Sequence, residues 1–190
     1  MASALNKIFW GTLLVFLDFH INHFDIFPDF LGYLFIYLGF AGLVSYSNHF
    51  SKAKLYVLLL AVVSVPLIYK FEETFVGQPQ LTTTTFLLMG MFTVITLIHL
   101  GFVYHLMRGL LEITQEVSFQ PLEKKTDHLL RFYIILTVSS QIIPLFIFIL
   151  PEVALLPIIL VLAIVSFIVE IMLLVLIRQF RSKSLEQDMN

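Results

Sequence analysis

Apolar positions along this chain come in long blocks separated by short polar interruptions, and strict alternation is absent. A membrane-crossing helix needs about 20 mainly apolar residues. The blocks predict six such helices, at about 5–21, 29–47, 55–69, 81–107, 129–150 and 153–177. The third is short and contains Pro66, which kinks or ends a helix. The expected fold is all-α, a polytopic bundle of six transmembrane helices forming one domain over 1–190.

Composition supports a lipid setting. Hydrophobic residues make up 59% of the 190, charged ones 13%, and mean hydropathy is +0.95. A soluble domain carries about 25% charged residues and buries only about 70% of its chain surface. Such a fold cannot hide this much apolar area. Placing the N-terminus inside puts ten of the 11 basic residues on the cytoplasmic side, with only Lys70 outside. That bias sets orientation, so both termini are expected to be cytoplasmic. Asp25, Asp29, Glu72, Glu73 and Glu152 fall on the outer side. Their negative potential either concentrates cations there or simply supplies loop polarity. One Lys precedes the first block, and Asp18, His20 and His23 follow it where small residues would mark cleavage. That block therefore reads as a retained helix.

Residues 108–128 read as a cytoplasmic amphipathic loop, the fourth helix continuing as an amphipathic extension along the membrane surface or against the bundle. Leu110, Ile113 and Val117 form its apolar stripe, Pro121 ends it, and Thr126 and Asp127 cap the next helix. It serves either as a coupling element for a partner or as a solvated helix end. The polar tail, 182–190, reads as disordered. A net charge of −2 argues against nucleic acid, and the lack of Cys excludes disulfides, thiolate catalysis and Cys-ligated zinc.

Candidate chemistry concentrates between the first two blocks. Asp18, His20, Asn22, His23 and Asp25 lie at the outer edge, followed by Pro28 and Asp29. Proline and a carboxylate both suit a first helical turn, so Pro28 and Asp29 have a structural explanation. The preceding residues form either a hydrogen-bonded turn or a ligand or cation site. If a metal binds, His20, His23 and Asp25 are the donors of suitable type.

The run from Asn22 to Tyr33, with Asp25-Ile-Phe-Pro28-Asp29 and Gly32-Tyr33, resembles a segment of small uncharacterised membrane proteins of Gram-positive bacteria. Phe27 stands where that segment has Leu. The resemblance covers about residues 10–55 and implies a bacterial plasma membrane without implying an activity. In size, span number and inward termini the chain is also similar to the substrate-binding components of energy-coupling-factor transporters. The Ala-x-x-x-Ala surface of their first helix is missing.

Two ionisable residues lie deep within blocks. His99 and Glu170 fall at matching depth, about 26 Å from the outer helix ends. An unpaired carboxylate there costs at least about 2.5 kcal/mol. The two are expected to face the bundle interior as a buried polar pair, serving as a proton or cation relay or as an interhelical clamp. Gly32, Gly39, Gly42 and Ser45 form a small-residue stripe, for close helix packing or for ligand room. His105 and Arg108 read as headgroup contacts, and Trp10 and the helix-end tyrosines as interfacial anchors.

These features rank three functions. The first is binding of a small solute or cation from the outer side, as a transporter or a component of one. The second is an accessory, regulatory or immunity role through a membrane-protein partner. The third is a metal-dependent intramembrane enzyme, although no Gly-x-Ser-x-Gly, His-Glu-x-x-His or phosphate-loop motif occurs. No specific cofactor is indicated. Under the first reading, a small mass adduct on the native protein in mild detergent is expected, and Asp25→Asn is expected to remove it. Native mass spectrometry of both forms checks this.

Overall fold

Blocks of Leu, Ile, Val and Phe fold as helices here because a helix satisfies its own backbone polar groups within one segment, as apolar surroundings require. The computed structural model describes residues 1–17, 20–21, 24–25, 29–65, 83–117, 120–142 and 152–188. Within them the fold is helical, with one short strand pair. The helices are α1 Ala2–Leu17, α2 Asp29–Ala41, α3 Asn48–Ser64, α4 Thr83–Val117, α5 Gln120–Ile142 and α6 Glu152–Asp188. Between α1 and α2 lies a two-rung antiparallel ladder of β1 (His20–Ile21) and β2 (Phe24–Asp25).

Each helix packs on its neighbours in chain order, and α6 packs back on α1, so the six close into a ring. The tightest approach is between α1 and α2. A methyl group on Gly11 would lie 2.6 Å from the Gly32 carbonyl oxygen, and one on Gly39 would lie 2.8 Å from that of Ala4. The glycine stripe of α2 therefore serves packing, with Gly11 as its counterpart on α1. Phe40, Phe50 and Phe102, fully buried, bring α2, α3 and α4 together with ring centroids 5.9 and 6.0 Å apart. Phe16 and Phe167, 4.9 Å apart, join α1 to α6.

Two helices carry stretches long and apolar enough to cross a membrane, Phe86–Thr114 in α4 and Leu155–Glu186 in α6. In their most apolar windows only 11% and 17% of residues are buried, unlike the mostly buried core helix of a soluble protein. Phe86, Leu87 and Phe92 on α4, and Leu156, Leu160 and Ile164 on α6, are exposed. Such surfaces call for lipid or another apolar partner.

Element boundaries depart from the sequence reading at polar ends. Helix α2 stops at Ala41, short of 47, and turns through Gly42–Tyr46. Helix α3 then starts at Asn48, well before 55, because Ser47 caps it by accepting from the His49 backbone N–H at 3.0 Å. The expected continuation of the fourth helix past 107 is present. α4 continues to Val117 with Leu110, Leu111 and Ile113 buried, and α5 begins at Gln120 with Pro121 in its first turn. Thr126 and Asp127, expected to cap a helix at 129, lie inside α5. The Thr126 hydroxyl donates to the Leu122 carbonyl at 2.8 Å, and Asp127 pairs with Arg131 at 2.9 Å. The expected disordered tail is helical to Asp188, with Ser184 buried and Lys183 paired to Glu186 at 2.6 Å. Apolar counting misses such turns because caps and i,i+4 pairs, not hydrophobicity, stabilise them.

Gly11→Ala is expected to lower stability by about 1–3 kcal/mol, because backbone atoms of α2 stand where its methyl must go. Gly90→Ala, with nothing within 4 Å of the added carbon, is expected to leave the melting temperature unchanged or slightly raised. Thermal unfolding of both variants in one detergent measures the difference.

Candidate functional site

Helices α4, α5 and α6 each contribute one polar side chain to a point between them. The Tyr133 hydroxyl lies 2.8 Å from Glu170 Oε1 and 3.0 Å from His99 Nδ1. Tyr133 itself is buried, and the Phe102 ring closes over His99 edge-on at 5.5 Å. His99 and Glu170 are thus joined through a tyrosine rather than in direct contact.

One hydroxyl hydrogen serves both neighbours, which restricts the protonation states. When Tyr133 donates to an ionised Glu170, His99 must present Nδ1–H to the phenol oxygen. When Glu170 is protonated and donates to Tyr133, Tyr133 donates to a bare Nδ1. Both arrangements satisfy the same contacts. They differ by one proton moved between the imidazole and the carboxyl group, so the chain can pass a proton between α4 and α6 without breaking a hydrogen bond. From α2, buried Tyr33 lies within electrostatic reach of both Glu170 and Asp29.

The candidates of the outer segment are described only in part. Asp18, Asn22 and His23 lie outside the described residues. His20 and Asp25 are Cα partners in the β1–β2 ladder, so their backbones meet across the hairpin. Asp29 opens α2 with one carboxylate oxygen buried. Among the described residues, no three His, Asp or Glu converge as a metal-binding group.

A second polar cluster lies on the α3 side of α4. The Ser47 hydroxyl donates to Glu112, His49 Nε2 stands 3.5 Å from the same carboxylate, and His49 Nδ1 lies 2.9 Å from His105 Nδ1. His105 stacks on Tyr56 at 5.5 Å, so it faces the bundle instead of reaching for headgroups. Arg108 does stay at the surface, over the Tyr104 ring at 5.5 Å. Tyr133, Ser47, His49 and Glu112 are the residues that sequence reasoning missed. Tyr133 reads as one more interfacial tyrosine, and Glu112 as a solvated position off an apolar stripe. No pattern of spacing links Ser47 to Glu112, which lie 65 residues apart.

No protein-family model, curated protein or solved structure matches this chain.

Tyr133→Phe removes the shared hydroxyl and leaves His99 and Glu170 without it. It is expected to cost about 1–3 kcal/mol. Thr96→Ala, which deletes an exposed hydroxyl bonded to the Phe92 carbonyl, is expected to cost well under about 1 kcal/mol. Parallel denaturant titrations compare the two.

Proposed function

We propose that this chain is a six-span protein of a bacterial plasma membrane that binds a small solute or cation from the outer side. In this reading the His99–Tyr133–Glu170 chain is the element that exchanges a proton against that ligand. The hydrogen-bonded chain carries the reading. It sets an imidazole and a carboxylate in an apolar bundle with a hydroxyl between them that can both donate and accept. Intramembrane ionisable groups are costly, and they mark ion or proton pathways when they are kept. The closed ring of helices and the exposed apolar faces of α4 and α6 support the membrane assignment. The run from Asp18 to Asp29 and its outer carboxylates support a cation-attracting mouth.

Mechanistically, a cation or cationic solute approaching Glu170 favours the ionised carboxylate. The displaced proton moves to Tyr133 as the hydrogen of Tyr133 passes to His99 Nδ1. The resulting imidazolium gives up its Nε2 proton to water, which completes the exchange, and loss of the ligand is followed by reprotonation of Nε2 and return of both hydrogens. Tyr133 acts as the connecting group.

Proteoliposomes holding a pH-sensitive dye test this with sodium, potassium and magnesium supplied outside in turn. At least one cation is expected to change the internal pH. Glu170→Gln keeps the hydrogen bond but cannot exchange the proton, and it is expected to slow the response by about two orders of magnitude. A Glu170→Gln protein that matches the wild type, or a wild type silent with all three ions, would overturn the proposal.

A further inference from the structure

The second cluster borders a cavity of about 330 Å³ where the start of α3 meets the adjoining ends of α4 and α5. His49, Tyr104, Arg108, Glu112, Glu123 and Asp127 line it. The volume suits a small polar molecule.

The lining carries both signs of charge. Glu112 is anchored by the Ser47 hydroxyl and the His49 ring. Asp127 is braced from the same helix by Arg131, which contacts only Oδ2. A carboxylate offers about four lone-pair sites, so both retain accepting capacity. Among the described residues, the partner of Arg108 is the face of Tyr104, and its guanidinium makes no ion pair there. Three carboxylates disfavour a simple anion. The charge of Arg108 disfavours a bare metal ion, and among the described residues no group of three ligands converges. A ligand with both charges satisfies the cavity.

We infer that this cavity binds a zwitterion in which a primary ammonium and a phosphate lie a few bonds apart, as in an ethanolamine phosphate group. The phosphate meets the planar fork of Arg108, which matches oxyanions in bidentate geometry. The ammonium donates its three hydrogens to the carboxylates of Glu112 and Asp127. A quaternary ammonium has no hydrogens to donate and seeks a cage of aromatic faces. Tyr104 is the only aromatic ring in the lining besides the His49 imidazole, and Arg108 already covers it. The site therefore selects ethanolamine over choline. It lies apart from the His99 chain and does not depend on proton exchange there. In the six-span arrangement it opens at the level of the inner headgroups, so the same group can arrive free or on a lipid.

The test uses the full chain in mild detergent. Calorimetric titration with glycerophosphoethanolamine, glycerophosphocholine and glycerophosphoglycerol probes the free group. Native mass spectrometry with phospholipids bearing those three headgroups probes the lipid. The ethanolamine form is expected to bind about tenfold more tightly than the others, and Arg108→Gln and Asp127→Asn are each expected to weaken it about tenfold. Both side chains sit at the surface, and a melting curve for each variant separates lost binding from lost folding. Selective binding of the soluble group identifies a free zwitterion as sufficient, and selectivity with the lipid alone identifies a lipid site. Equal binding of all three headgroups in both assays, or selectivity undiminished in both variants, would overturn the inference.

Discussion

Glu170 sets a condition that the surrounding helices must meet. A carboxylate inside an apolar bundle has little water to solvate it, so its partner must come from the chain itself. That partner is the Tyr133 hydroxyl, which in turn needs His99. The arrangement ties α4, α5 and α6 at one level. A slip of one helical turn along any of them displaces its group by about 5.4 Å and breaks the chain. Polar pairing thus sets the register of three helices whose apolar surfaces, being alike, would pack almost equally well in several positions.

The other half of the ring is held by shape. Gly11 and Gly32 let α1 and α2 approach until the backbone of one occupies the space of a missing side chain on the other. Where apolar solvent surrounds the helices, such close packing replaces the hydrophobic drive. Phe40, Phe50 and Phe102 then fill the centre, and Phe16 against Phe167 closes the ring between α1 and α6.

Helix α4 separates two polar clusters with different chemistry. His99 faces α5 and α6 in a part-buried chain with a single hydrogen shared at its centre. His105, two turns onward, faces α3 and meets His49 beside an open, mixed-charge cavity. Phe102, Val103, Leu106 and Met107, all buried on the same helix, fill the layer around them. The first cluster is suited to moving a proton, and the second to holding a charged group.

Much of this architecture was legible in residue order. Block length and hydropathy predicted helices, depth along α4 and α6 singled out His99 and Glu170, and the small residues of α2 marked a close-packed face. These are local properties, set by one helix and its surroundings. Polar helix ends were less legible, because the caps and ion pairs that extend α3, α5 and α6 add no apolar signal. The outer segment from Asp18 to Pro28 is described only by two backbone pairings, so its candidate ligands rest on residue types. The partners of the interior groups were not legible at all. Tyr133, Ser47, His49 and Glu112 are ordinary polar residues at helix ends in sequence. Their contacts depend on how each helix is rotated and how far it slides against the next. Residue order determined which groups had to be satisfied; only the tertiary packing decided by whom, because helix rotation and register are properties of the assembled ring.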